Sequence, residues 1–181
     1  MSCVKLTKPA IVIWLTGLSG AGKSTIATAL EQKVKDLGYL TCNLDGDVLR
    51  KGLNSDLSFS EADRKENIRR VAHTTKLLSD LGIITICGFI SPYRDSRDFV
   101  RGIIGSSFKE IYVKCPIEEC ERRDPKGLYA KQRSGRMKGL TGIDAPYEEP
   151  LQAELVLETN KFDVDTCATK VIELIKKDLN G

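Results

Sequence analysis

The sequence predicts an α/β fold, a doubly wound and mostly parallel five-stranded sheet with helices on both faces and a basic lid over one edge. Three observations carry that prediction. Residues 17–24 read G-L-S-G-A-G-K-S, set between an apolar run and a stretch of helical period. Five short β-branched runs alternate along the chain with longer segments of helical period, as in βαβ units. The runs are nearly continuous in apolar character, which suits parallel strands covered on both faces. In sheets of this kind ligands bind at the carboxyl ends of the strands.

Taken in order, the predicted strands are Ile11–Thr16, Leu40–Leu44, Ile83–Phe89, Glu110–Lys114 and Leu155–Leu157. Helical periods cover Thr25–Leu37, Ser60–Asp80, Asp95–Ile104, Ile117–Ser134 and Asp165–Leu179. Ser60 with Asp63 resembles a capping box and starts the second of these. Gly135 to Pro150, rich in Gly and Pro, reads as a long loop of the kind that carries function. The expected organisation is a single domain over 1–181, with residues 1–9 a flexible N-terminus and about 120–150 a lid and substrate loop.

Composition narrows the function classes. The 181 residues are 41% apolar, enough for a substantial core, and a net charge of +3 suggests no nucleic-acid partner. No run approaches the roughly twenty apolar residues of a membrane span, and no apolar run of signal-peptide length opens the chain. A soluble, cytoplasmic protein is expected. The six cysteines form no C-x-x-C pair and there is one histidine, which argues against a zinc site.

The G-x-x-x-x-G-K-[ST] pattern, between strand and helix, is a phosphate loop of the P-loop type. Gly17, Leu18, Ser19, Gly20, Ala21, Gly22, Lys23, Ser24 and Thr25 are its expected nucleoside triphosphate contacts. The glycines let successive N–H groups point at phosphate oxygens, and the following helix adds its positive end. Lys23 reaches the outer phosphates and Ser24 supplies a hydroxyl to Mg²⁺. The second strand ends in Asp45-Gly46-Asp47, with Arg50 one helical turn on. One carboxylate serves the metal while the other accepts a proton from an attacking hydroxyl. Phe59, Arg64, Asn67 and Arg70 combine an aromatic ring, fork donors and an amide at helical spacing, a sensible binder for a base and an acidic group. Ile90 and Ser91 follow the third strand, and Arg122 to Arg133 is a basic arm punctuated by Pro125 and Gly127.

These segments, in order, resemble the adenylyl-sulfate kinase (APS kinase) family from about Ile11 to Ile175. The resemblance rests on G-L-S-G-A-G-K-S, L-D-G-D-V-L-R, D-L-S-F-S-E-A-D-R-K-E-N-I-R-R, F-I-S-P-Y-R, R-D-P-K-G-L-Y and T-G-I-D-A-P-Y-E. It implies transfer of the γ-phosphate of ATP to the 3′-hydroxyl of adenosine 5′-phosphosulfate, in sulfate activation. It further implies that Lys23 and Ser24 hold ATP phosphates and Mg²⁺, and that Asp45 and Asp47 serve the metal and the hydroxyl, with Asp47 nearer the acceptor. Arg50, Arg64 and Asn67 would bind the phosphosulfate and its nucleoside, and Phe59 would stack on the adenine. Ile90, Ser91 and Lys126 would complete the pocket. A phosphoserine has been assigned in the family at the position of Ser91. In-line transfer, with Ser91 as a substrate contact, is preferred here because phosphoryl transfer needs positioning and charge stabilisation rather than a relay. Leu140 stands where the family usually has a phenylalanine, so a second stacking ring is lost and weaker acceptor binding or less substrate inhibition is expected. Some plant members pair an N-terminal cysteine with one before the D-G-D turn. Cys3 and Cys42 sit roughly there, but Cys42 is shifted by one residue, which turns a strand side chain to the other face. A homodimer, and cooperation with an ATP sulfurylase, follow from the same resemblance.

Three other readings compete, the third a kinase of a small metabolite such as gluconate or shikimate, against which the D-G-D turn and the R-D-P-K-G-L-Y arm weigh. Asn160-Lys161-Phe162-Asp163 matches the guanine-reading N-K-x-D pattern and Asp124-Pro125-Lys126-Gly127 matches D-x-x-G. No apolar strand precedes that Asp124, and its distance from the phosphate loop is too long for a GTPase switch. A nucleotide-sensing module with a degraded loop is disfavoured by intact Lys23, Ser24, Asp45 and Asp47.

Overall fold

A computed structural model describes residues 11–180. The expected flexible stretch 1–9, and with it Cys3, lies outside the described residues. Parallel strands β1 (Val12–Thr16), β2 (Thr41–Asp45), β3 (Ile84–Gly88), β4 (Phe108–Lys114) and β5 (Leu155–Glu158) form one sheet in the order β2-β3-β1-β4-β5. The helices are α1 (Lys23–Asp36), α2 (Gly46–Leu49), α3 (Glu61–Asp80), α4 (Arg94–Ile104), α5 (Ile117–Arg123), α6 (Leu128–Arg133) and α7 (Val164–Asn180).

The pleat of β1 explains the two layers. Val12 and Trp14 point into one apolar cluster with Val71, Val100 and Phe108, whereas Ile13 and Leu15 point into another with Ile26, Leu30, Val171 and Ile175. The four strand residues are fully buried, each removing a side chain from water at a gain of about 1.5–3 kcal/mol. Trp14 also stacks on Phe89 at 5.3 Å between ring centroids. β1 is central, and the chain crosses from one side of it to the other between β3 and β4. The loops after β1, β2 and β3 therefore diverge at the carboxyl edge of the sheet, where a crevice opens.

Local chemistry sets the helix ends. Ser60 Oγ accepts from the Asp63 N–H at 3.1 Å and caps α3. The expected single helix over 117–134 is two, α5 and α6. The chain breaks at Asp124 (φ 22°) and Gly127 (φ 63°) around Pro125, which lacks the N–H a continuous helix needs. The short helix α2 went unforeseen, because the D-G-D turn has too few residues to show a period.

Candidate active site

The phosphate loop wraps from the end of β1 into α1, and its three glycines all take positive φ: Gly17 153°, Gly20 76° and Gly22 102°. Close approach adds to this need at two of them. A Cβ on Gly17 would stand 2.4 Å from the Val113 carbonyl oxygen, and one on Gly20 2.9 Å from that of Cys120. Two hydrogen bonds brace the loop from behind. Tyr129 OH donates to the Ser19 carbonyl at 2.9 Å and Thr159 Oγ1 to the Ala21 carbonyl at 2.8 Å. Lys23 Nζ folds back over the loop, donating to the carbonyls of Gly17 (2.9 Å) and Leu18 (2.7 Å). Burial, followed by the nearby charge of Lys126, lowers its pKa from 10.5 to about 8.

Asp45 ends β2 and caps α2. Its Oδ2 accepts from Ser24 Oγ at 2.7 Å and its Oδ1 from the Asp47 N–H at 2.8 Å. Burial alone would raise this carboxyl. The hydrogen bonds from Ser24 and Asp47 outweigh it, so Asp45 stays below the ordinary carboxylate range. Asp47, two residues further along the chain, is exposed and forms an ion pair with Lys126 from the segment between α5 and α6.

A cleft of about 790 Å³ runs along this edge. Toward α3 it is walled by Arg50, Phe59, Arg64, Asn67, Ile90, Ser91 and Leu140. Phe59 is 57% exposed, with the Arg50 guanidinium 4.4 Å above its ring. It is therefore a rim aromatic rather than a buried staple. Arg64 is nearly buried and reaches across the chain: Nε donates to the Phe59 carbonyl (2.8 Å), Nη1 to Thr141 Oγ1 (2.7 Å) and Nη2 to the Gly139 carbonyl (2.7 Å). Asn54 Nδ2 donates to Asn67 Oδ1 at 3.0 Å, which turns the Asn67 amide nitrogen away from that bond. Arg70 does not join them. It pairs with Asp56 and Glu66 and does not line the cleft, because three-residue steps drift around an α-helix of 3.6 residues per turn.

Ser91 is 2% exposed and holds φ 38°, a left-handed backbone uncommon for serine. Its Oγ accepts from Trp14 Nε1 (3.1 Å) and donates to Thr16 Oγ1 (2.9 Å), which in turn donates to the Ile90 carbonyl (2.7 Å). Tyr147 OH lies 3.0 Å from the same Thr16 oxygen. Every polar hydrogen of this network has an acceptor.

At its other end the cleft is lined by Arg123, Thr159, Phe162, Val164 and Cys167, of which the sequence had marked Arg123 only as part of the basic arm and Phe162 only within the N-K-F-D string. Arg123 Nη2 donates to the Thr159 carbonyl at 2.7 Å, joining α5 to the loop after β5. The N-K-F-D string was the signal nearest the loop after β5, and its Asp163 serves the fold instead. There Oδ1 accepts from the Thr166 N–H at 2.8 Å at the start of α7. Of the basic arm, Arg123 and Lys126 reach the cleft, whereas Arg122 and Arg133 pair with Glu119 and Glu121 at the surface.

A phosphate loop, two aspartates on one turn and an arginine-rich far wall are what a kinase of small nucleotides requires, and the adenylylsulphate kinase family profile matches residues 9–158. The chain belongs to the adenylylsulphate kinase family. It is 54% identical over 172 residues to the adenylyl-sulfate kinase of Clostridium acetobutylicum, covering 95% of this chain and 86% of that one. It is 51% identical to the adenylyl-sulfate kinase of Bacillus velezensis, over 93% of this chain and 86% of that one. Among solved structures, the Mycobacterium tuberculosis APS kinase CysC in complex with AMPPNP and APS superposes with a TM-score of 0.90 at 43% identity. That match covers 94% of this chain and 99% of the other.

Proposed function

We propose that the cleft seats ATP and adenosine 5′-phosphosulfate on either side of the D-G-D turn and transfers the γ-phosphate to the acceptor's 3′-hydroxyl. The products are 3′-phosphoadenosine 5′-phosphosulfate and ADP. The observation that carries the assignment of roles is the unequal engagement of the two aspartates. Both oxygens of Asp45 already accept hydrogen bonds and the group is held ionised. Asp47 is solvent-accessible and forms its ion pair with Lys126, with the charges of Lys23 and Arg50 also nearby. It is the base that takes the hydroxyl proton.

Magnesium suits the other aspartate. Ser24 Oγ and Asp45 Oδ2, 2.7 Å apart beside the phosphate loop, are hard oxygen donors. Among the described residues no group of three or more His, Cys, Asp or Glu could hold a metal unaided, which suits an ion that keeps several waters and phosphate oxygens. When bound, Mg²⁺ neutralises charge on the phosphates. Ser24 and Asp45 would hold it.

The remaining residues bind and orient. Residues 17–25 enclose the phosphates, with Lys23 exchanging its loop carbonyls for phosphate oxygens, and the end marked by Arg123, Thr159 and Phe162 receives the ATP base. Arg50, Arg64, Asn67 and Phe59 receive the acceptor, with Ile90, Ser91 and Leu140 beneath it. Lys126, drawn from Asp47 to the transferring phosphoryl group, frees the base and offsets developing charge. The saturated Ser91 hydroxyl supports direct in-line transfer, with Ser91 acting through its turn.

The same reading takes the enzyme as cytoplasmic and homodimeric, supplied by an ATP sulfurylase. All five described cysteines are free, as a reducing compartment would keep them. No helix among the described residues is long and apolar enough to cross a membrane. Exposed Leu77, Leu81 and Phe99 on the α3–α4 side offer apolar surface to a second copy.

The test is ADP release from Mg·ATP with and without adenosine 5′-phosphosulfate, with Asp47→Ala in parallel. Acceptor-dependent turnover that falls about 10²–10⁴-fold in the variant is expected. Nucleotide binding without acceptor-dependent turnover, or a preference for GTP, overturns the reading.

A further inference from the structure

Arg97 lies on α4, is 2% exposed, and has no part in the chemistry above. Its guanidinium ties together three segments that are far apart in the chain. Nη1 donates to the Ser91 carbonyl at 2.7 Å, Nη2 donates to the Glu148 carbonyl at 2.7 Å, and Nε pairs with Glu110 Oε1 on β4 at 2.7 Å. Each contact serves a different purpose. Glu110 anchors the guanidinium to the rigid sheet, and Arg101 also reaches that carboxylate, at 3.3 Å. The Ser91 carbonyl belongs to the one residue of the cleft wall held at a strained φ of 38°. The Glu148 carbonyl closes the far end of the loop that carries Leu140 and Thr141.

Neighbouring bonds show that the two held segments form one unit. The Glu148 N–H donates to the Pro92 carbonyl at 2.8 Å, and the Arg94 N–H to Glu148 Oε2 at 2.7 Å. Tyr147, adjacent to Glu148, closes on the Thr16–Ser91 network and lies 6.0 Å from the Arg97 guanidinium. At the near end of the same loop, Arg64 holds Gly139 and Thr141. The acceptor side of the cleft is thus suspended between two buried arginines, one facing the cleft and one behind it.

We propose that Arg97 is a positioning residue for the acceptor. Through the carbonyls of Ser91 and Glu148 it sets the spacing between the Phe89–Pro92 turn and the 135–150 loop, and so the width of the acceptor half of the site. The inference rests on the assignment of that turn to the acceptor made above. A planar fork is required, because two carbonyls are met by separate N–H groups in different directions while the same cation stays ion-paired with Glu110. The point charge of lysine does not reproduce that. A purely structural ion pair would lower stability when cut and leave the kinetics of the folded enzyme alone.

The experiment uses the full chain with Arg97→Lys, and with Arg97→Met combined with Glu110→Gln so that no buried charge is orphaned. Initial rates are measured against ATP and against adenosine 5′-phosphosulfate separately, well below each variant's melting temperature. The expected result is a KM for the acceptor raised tenfold or more in both, with the KM for ATP within twofold of the parent. Ser91→Gly supplies the internal check, since glycine adopts φ 38° without a clamp. Adding Arg97→Lys to Ser91→Gly should raise the acceptor KM by less than it does in the parent, the non-additivity of residues acting through one another. A lowered melting temperature with both KM values unchanged overturns the positioning role and leaves the acceptor assignment intact. A rise confined to the KM for ATP overturns the acceptor assignment instead, since the turn would then serve the donor side. Should Arg97→Lys fail to fold, the charge-free double variant carries the same comparison.

Discussion

Lys23, to which the proposed reading gives the phosphates of ATP, is the cleft lysine whose charge the fold makes pH-sensitive. Burial, with the charge of Lys126 behind it, brings its pKa from 10.5 to about 8. The ammonium is the form that binds phosphate, so the sign is set. Affinity for ATP is therefore highest below about pH 7 and declines as the pH rises through 8. With a pKa of 8, about nine-tenths of the enzyme carries the charge at pH 7 and about one-tenth at pH 9, and each further unit costs another tenfold, or about 1.4 kcal/mol. ATP contributes no competing step in that range, because its terminal phosphate is already ionised. Calorimetric titration of the acceptor-free enzyme with Mg·ATP from pH 6.5 to 9.5 should show a flat dissociation constant that turns upward near pH 8. Removing the second cause should move the break: in Lys126→Met burial remains but the repulsion is gone, so the turn shifts to higher pH. A flat profile to pH 9.5, or a break unmoved in Lys126→Met, would refute the electrostatic account of this lysine.

Other perturbations separate the remaining roles. Asp47→Asn removes the base from an exposed position and should lower kcat by about 10²–10⁴ with the melting temperature nearly unchanged, whereas Asp45→Asn should mainly raise the KM for Mg·ATP; the reverse pattern in steady-state kinetics would exchange the two roles. Gly17→Ala places a methyl 2.4 Å from a strand carbonyl, and calorimetry should find ATP affinity reduced a hundredfold or more with thermal stability also lowered. Leu140→Phe restores a ring at a wall position that is 3% exposed, so the acceptor KM should fall by the equivalent of up to about 1–3 kcal/mol of stacking while overpacking lowers the melting temperature. An unchanged acceptor KM would show that the ring never reaches the base.

The phosphate-loop end of the cleft was legible in the chain because its chemistry is local. A phosphate loop works through backbone N–H groups, and the glycines that shape it stand within eight consecutive residues. The strands were equally plain, since burial on both faces leaves an apolar run with little polar interruption, and the five predicted runs coincide with the five strands to within two residues at each end. The wall toward α3 was legible in part, since Phe59, Arg64 and Asn67 read as a binder for a base and an acidic group, but its assignment to the acceptor came only from the resemblance. Arg64 meets Thr141 across 77 residues and Arg97 meets Glu148 across 51, and no spacing rule reports such pairs. The cleft end that the proposed reading gives to the ATP base was missed for the same reason. Arg123 and Thr159 are 36 residues apart, and each reads alone as an ordinary helix-end or loop residue.

That division bears on how a protein of net charge +3 handles two highly anionic substrates. The balance is achieved locally, since Lys23, Arg50, Arg64, Arg123 and Lys126 line one cleft against Asp45, Asp47 and Asp163. The cations are not equivalent. Arg64 and Arg123 direct donors to backbone carbonyls and so shape the walls, whereas Lys23 and Lys126 hold loop carbonyls and an exposed carboxylate, partners that a phosphate can replace. Arginine serves where geometry must persist and lysine where a charge must move. The charge of Lys126 also loosens the hold of Lys23 on its proton, an effect that an arriving polyphosphate reverses. Under the roles proposed above, the binding energy of ATP is coupled to the protonation of Lys23 and to the release of Asp47 from Lys126, which would free the proposed base when the donor is in place.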